Sequence, residues 1–214
     1  MGLRDLALMR TLHNIEILHP VDGVETQQMM TYIAGHNRPI YLRLCRQPLH
    51  EVHNEGHLFR PGQPDVLREG REVALLTMGG MVPVLIDALP ELARHGLAPT
   101  VVNVSSLPVD ADQVRRLAAG HGQVIVIEDH FIKGGLADEI GRSLLDMAQP
   151  PRFGAWGIGD YSQSGSPSEL YQRYRLDAAG ISEVIQDYAH GRRPQPRPDD
   201  GAGRARVLPG PCAD

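Results

Sequence analysis

No stretch of this sequence stays apolar for the ~20 residues that a membrane-spanning helix requires, and residues 1–10 carry no apolar run of signal-peptide length. A soluble, cytoplasmic protein with no membrane partner is expected. A basic surplus is missing too: 21 Lys and Arg stand against 26 Asp and Glu, for a formal charge of -5. Binding to nucleic acid calls for a concentrated basic face, so no nucleic-acid partner is expected. Only two cysteines occur, Cys45 in a strand pattern and Cys212 in a tail. They form neither a disulfide framework nor a paired metal motif, which fits a reducing compartment. Aromatic residues make up 5% of the chain against 42% hydrophobic, so the packing must be largely aliphatic.

Helical and extended patterns alternate along the chain. Residues 5–12 place Leu6, Met9 and Leu12 toward one side of a short helix. That helix begins so near Met1 that the chain reads as entering in the middle of an architectural unit. Residues 14–18 form a strand closed by His19-Pro20, and Asp22 caps a helix running to about Gly35, with Glu25 three residues on. The run PIYLRLCR, residues 39–46, is a second strand, parallel to the first through a right-handed crossover. Residues 50–64 are polar and rich in His, Gly and Pro, a linker with at most a short hairpin. Beyond them, strands at 72–78, 100–104, 123–127 and 152–158 alternate with helices. This order predicts a three-layer α/β/α unit around a mostly parallel sheet. Ser166, Pro167 and Glu169 start a further helix, 177–188 is the last one, and residues 191–214 read as a disordered tail.

Three groups of residues invite a chemical reading. Glu128, Asp129 and His130 follow a Val/Ile strand at its carboxyl end, where ligands lie in open α/β sheets. On their own they read either as the solvated end of that strand or as the mouth of a site, since a histidine beside carboxylates suits proton transfer. Gly79-Gly80 and Gly134-Gly135 precede helices and offer backbone N–H groups to an anion, or simply allow close strand-to-helix packing. Neither has the spacing of a dinucleotide fingerprint or a P-loop. His50, His53 and His57 alternate with Glu51 and Glu55, a spacing that would gather a metal on a helix. Gly56 and the loop composition speak against a helix there, so no metal site and a solvated linker are expected.

Taken together, DLALMRTLHNIEILHPVDGVE, PIYLRLCRQP, VLREGREVALLTMG, VIEDHFIKGGLADEIG and GSPSELYQRYRLD resemble, in order and spacing, the carboxyl-terminal part of transketolase and its thiamine-diphosphate-dependent relatives. The resemblance covers about residues 5–188. It implies that residues 1–55 are the end of a pyrimidine-binding domain and residues 56–190 a C-terminal domain. Arg46 matches the family's arginine that contacts the phosphate of sugar-phosphate substrates, where a planar guanidinium fork can hold two oxygens at once. Arg43 is the second candidate, facing away from Arg46 by strand alternation. His130 becomes an interface or access residue, because in this family the C-terminal domain chiefly organises a dimer.

The departures from the family are as informative. The Gly-Asp-Gly motif that holds magnesium and diphosphate does not occur in this sequence. The glutamate that activates the cofactor and the histidines that precede the 5–12 helix find no match either. The resemblance therefore implies the C-terminal component of a split transketolase-type enzyme that moves a two-carbon ketol unit between sugar phosphates. Thiamine diphosphate and Mg2+ would come mainly from partner chains, an N-terminal transketolase subunit, within a homo- or hetero-oligomer, and the chain would be inactive alone. Two alternatives stand beside it: a non-catalytic binding or regulatory relic of the fold, and a subunit of a related 2-oxo-acid dehydrogenase or deoxyxylulose-phosphate synthase.

Overall fold

The structure, a computed structural model, describes residues 2–45, 50–159 and 164–196. Arg46, Cys212 and the expected tail beyond residue 196 lie outside the described residues. The first part of the chain forms α1 (Asp5–Met9), β1 (Glu16–Leu18), α2 (Gly23–Ala34) and β2 (Ile40–Leu42). Then follow β3 (Asp65–Arg68), β4 (Val73–Thr77), α3 (Met81–Arg94), β5 (Thr100–Asn103), β6 (Ser106–Leu107) and α4 (Ala111–Ala119). The remainder is β7 (Gln123–Phe131), α5 (Leu136–Leu144), β8 (Arg152–Ile158), α6 (Pro167–Arg173) and α7 (Ala178–Ala189). Among the described residues no helix is long and apolar enough to cross a membrane.

Local chemistry sets the helix starts. The Asp22 side chain accepts the Glu25 N–H at 2.8 Å and begins α2. The Glu25 carboxylate reaches back to the Val21 N–H at 2.8 Å rather than to the cap itself, a capping box displaced by one residue. Ser166 and Glu169 close a complete capping box at α6, with Pro167 at its first position.

Five strands in the order β3-β5-β4-β7-β8 make the main sheet, parallel except for β3, which runs antiparallel to β5 at the edge. Residues of β4, β5 and β7 are buried on both sides, as expected of apolar runs covered by two helical layers. Ala74, Leu76, Val124 and Val126 face α4 and α5, through Val114, Ala118, Leu136 and Ile140. Their neighbours Leu75, Val101, Ile125 and Ile127 face α3 and α7, through Leu85, Leu92, Ile181 and Val184. The three-layer α/β/α architecture is thus the one the sequence pattern predicts.

Three features differ from that pattern. β6, which follows β5 of the main sheet, pairs antiparallel with β1, so a second, three-stranded sheet β2-β1-β6 ties residues 16–42 to the rest of the chain. A two-residue strand carries too little periodicity to be recognised in sequence. The strand expected over residues 39–46 ends at Leu42, although the Arg43 N–H still reaches the Leu18 carbonyl at 2.8 Å. Finally β7 does not stop at Ile127 but continues through Glu128, Asp129 and His130 to Phe131.

Candidate functional site

The main sheet changes direction at β4. The chain crosses from β4 through α3 to β5 on one side, then returns through α4 to β7 on the other. In such sheets the crevice beyond the carboxyl ends of the two diverging strands receives ligands. Here that position belongs to Met78-Gly79-Gly80 after β4 and to Glu128, Asp129 and His130 in β7. The crevice is filled by the protein itself. Gly79 adopts a φ of +55, and a Cβ there would collide with the ring of His19, which follows β1. Close approach, and not an anion cradle, explains this glycine.

Arg43 is the hub of what fills the crevice. Its Nε donates to Asp5 Oδ2 at 2.9 Å and its Nη1 to Asp129 Oδ1 at 2.9 Å. The same Nη1 lies 3.3 Å from His19 Nδ1. A guanidinium has no acceptor, so His19 Nδ1 must be unprotonated and its ring neutral, with the proton on Nε2 toward Cys45 Sγ at 3.6 Å. Burial together with the Arg43 charge pushes the His19 pKa down to about 3, in keeping with that tautomer. The second Asp129 oxygen accepts the Tyr171 hydroxyl of α6 at 3.0 Å, and the second Asp5 bond comes from Tyr41 at 2.9 Å. Burial alone would raise the Asp129 carboxyl, but Arg43 and the Tyr171 hydrogen bond hold it below the usual range. Burial pushes the Cys45 thiol up, with Asp129 adding to the effect.

Beside this network Glu128 is 2% exposed and accepts the Leu136 and Ala137 N–H groups of α5 at 2.8 and 3.2 Å. Desolvation outweighs those donors and pushes its pKa up to about 8. A Cβ at Gly135 would occupy the Glu128 carboxyl, and the Gly134 N–H is taken by Asp138, so the turn serves the protein's own acids. His130 is fully buried, with Nδ1 donating to the Phe131 carbonyl at 2.7 Å. Its Nε2 faces Asp5 Oδ1 at 3.7 Å, and both atoms lack a hydrogen-bond partner.

The solvated strand end considered for Glu128, Asp129 and His130 is therefore corrected: all three are buried, Glu128 against the start of α5, Asp129 beneath Arg43 and Tyr171, and His130 beside Asp5. Hydrophobic period reports what a strand's own faces meet, not what a distant segment lays across its end. Arg43 has its guanidinium engaged by two carboxylates, while Arg46, three residues on, is not among the described residues. Asp5, His19 and Tyr171 were missed by the sequence reading; the His19-Pro20 stop after β1 was the one local signal.

The second titratable group lies in residues 50–64, which are irregular and largely exposed as expected of a linker, except that the His53 and His57 side chains are covered. The His53 side chain is only 5% exposed, and its Nε2 lies 3.0 Å from Asp65 Oδ2 at the head of β3. The His57 ring stacks on that of His53 with centroids 3.7 Å apart. Asp65 was invisible as a partner because its proximity depends on the fold-back of the segment.

Comparison with known proteins places these features in a family. Residues 62–181 match the family described as transketolase, C-terminal domain. One subunit of the apulose-4-phosphate transketolase of Actinobacillus succinogenes is 33% identical over 186 residues, spanning 86% of this chain and 60% of that protein. A 1-deoxy-D-xylulose-5-phosphate synthase of Shouchella clausii is 33% identical over 86% of this chain and 30% of its own length. A solved split gene transketolase, described as an inactive beta4 tetramer, superposes with a TM-score of 0.84 at 30% identity. That match covers 90% of this chain and 64% of the other. The chain spans 53% to 60% of the length of the first curated transketolase relatives it matches. With more than half of its residues matched by the family's pattern, the chain belongs to the transketolase family through its C-terminal domain.

Proposed function

We propose that this chain is the carboxyl-terminal component of a split transketolase-type enzyme that transfers a two-carbon ketol unit between sugar phosphates. The match to a split-gene transketolase over nearly the whole chain carries the reading, and the similarity to separate transketolase subunits supports it. The family depends on thiamine diphosphate, which supplies a carbanion equivalent when bound. The residues present do not fit that cofactor's Mg2+-diphosphate end, which takes oxygen ligands. Gly-Asp-Gly is absent from the sequence, and the one three-residue group of metal-capable side chains among the described residues contains two imidazoles. We assign the cofactor to a partner chain carrying the N-terminal part.

In this reading the chain contributes structure and substrate binding. Residues 1–55 close a pyrimidine-binding domain that β6 stitches to the C-terminal domain of residues 56–190. Arg46 holds the substrate phosphate through charge-assisted hydrogen bonds. Arg43 is a positioning residue: clamped between Asp5 and Asp129, it fixes the chain three residues before Arg46. His130, which is buried, supports this packing.

The test is reconstitution. The chain is co-purified with a thiamine-diphosphate-binding transketolase subunit, and ketol transfer is measured with and without it. Activity that requires this chain, with a raised KM for sugar phosphate in Arg46→Ala, is expected; equal activity without it overturns the proposal. The similarity to a deoxyxylulose-phosphate synthase supports a second reading, in which the donor is a 2-oxo acid. Replacing the ketose donor by pyruvate in the same assay separates the two. A chain that stays monodisperse and associates with no thiamine enzyme would instead be a non-catalytic relic.

A further inference from the structure

Residues 50–64 fold back over the start of α2 and place two histidines against the head of β3. His53 Nε2 lies 3.0 Å and His57 Nδ1 3.7 Å from Asp65 Oδ2. We propose that His53, His57 and Asp65 bind a divalent cation of the zinc class, which fastens this segment to the edge of the main sheet. The proposal is independent of the ketol-transfer reading.

Donor spacing is the first argument. Zinc sits at about 2.0–2.2 Å from imidazole nitrogen and carboxylate oxygen, so tetrahedral donors stand about 3.3 Å apart. The separations of 3.0 and 3.7 Å bracket that value, and all three donor atoms lie within 4.8 Å of one another. The rings are stacked with only 20° between their planes, so they lie alongside each other with one nitrogen of each near Asp65. Closure requires the His57 ring to turn out of the stack so that both in-plane lone pairs converge on one ion.

The second argument lies behind the rings and is independent of the first. Histidines that ligate metals nearly always turn their other ring nitrogen toward a carboxylate or carbonyl, which fixes the tautomer and raises ligand basicity. Both do so here. His53 Nδ1 stands 3.0 Å from Asp22 Oδ2, and His57 Nε2 stands 4.0 Å from Glu25 Oε1. Each carboxylate is itself held by backbone: Asp22 accepts the Val52 and His53 N–H groups at 3.0 and 2.7 Å, and Glu25 the Val21 N–H at 2.8 Å. His53 Nδ1 and His57 Nε2 are buried and lack a hydrogen bond of good geometry. A cation on the far nitrogens would fix the tautomers that let both atoms donate.

Charge and space agree. Three carboxylates surround two imidazoles, an excess of negative charge that a divalent ion would reduce. A cavity of about 50 Å3, whose lining includes Glu25, His57, Arg60, Gln63, Asp65 and Ser105, adjoins two of the three donors and leaves room for a water ligand. Two imidazoles with one carboxylate favour zinc, cobalt or nickel over magnesium or calcium, which take all-oxygen sets.

The test uses the full, tag-free chain stripped with a chelator and titrated by calorimetry with Zn2+, with Mg2+ in parallel. One Zn2+ per chain is expected, with no Mg2+ heat at the same concentrations, and Co2+ should give a tetrahedral visible absorption band. Asp65→Ala and His57→Ala should abolish the binding, Glu25→Gln should weaken it about 10–100-fold, and His50→Ala should leave it unchanged. Circular dichroism of the metal-free variants checks folding; should the histidine variant unfold, Asp65→Ala, whose side chain is 38% exposed, carries the comparison. The absence of stoichiometric Zn2+ binding, or binding that persists in Asp65→Ala, overturns the proposal.

Discussion

Arg43 and His53 each stand among buried acids, and the two groups are built in opposite ways. Around Arg43 the main charges are paired inside the protein: one guanidinium spans Asp5 and Asp129, the Tyr171 hydroxyl donates to the other Asp129 oxygen, and that of Tyr41 shares Asp5 Oδ2 with Arg43. Around His53 the three carboxylates meet imidazoles and backbone N–H groups, and two ring nitrogens lack a hydrogen-bond partner. Burial therefore means different things in the two places. A guanidinium clamped between two carboxylates holds segments together, whereas two imidazoles converging on a partly exposed carboxylate leave a position for something else.

The largest effect should come from unpairing the first group. Arg43→Met leaves Asp5 and Asp129 without their cation and should destabilise the chain by about 3–5 kcal/mol, read from urea unfolding. A loss under about 1 kcal/mol would show that the cluster relaxes or hydrates, and the contrast with His53 would collapse.

Glu128 gives the next effect, one of pH. Its folded pKa of about 8 lies above the ordinary 4.5, so the folded state holds a proton that the unfolded state releases between those values. Wild-type stability should thus be fully retained below pH 4.5 with respect to this group and decline as pH rises to about 8. Glu128→Gln removes the titration, and the stability difference between wild type and variant should change steadily across that window. A pH-independent difference would mean that Glu128 ionises normally despite its burial.

Tyr171→Phe removes one hydrogen bond to the Asp129 carboxylate and should cost about 1.5–3 kcal/mol, loosening α6 in hydrogen exchange. The smallest effect belongs to the second group. In metal-free protein Asp65→Asn should change stability by less than about 1 kcal/mol, because its partners are imidazoles and it is partly exposed. A cost as large as that of Arg43→Met would make the His53 group a structural ion-pair cluster like the first.

Much of this architecture was legible from local pattern. The caps at Asp22 and Ser166 were readable because capping is a matter of three or four residues, and the strand-helix alternation from residue 72 because burial repeats with a fixed period. Arg46 was reached only through resemblance. What pattern could not show was that β7 runs on through three polar residues, since Glu128 and Asp129 are strand-compatible only once Arg43, Tyr171 and the start of α5 meet them. Nor could spacing reveal Asp65 as a partner of His53, twelve residues away across a loop.

By itself, then, the sequence determined the layers, the direction of the main strands, the aliphatic core and the family. The tertiary structure decided where the charges go. Period and propensity act along a few turns of chain, while the neutral state of His19, the raised pKa of Glu128 and the meeting of His53 with Asp65 depend on which distant segments are laid against one another. Low dielectric and close packing give those meetings their energy, and neither exists until the chain has folded.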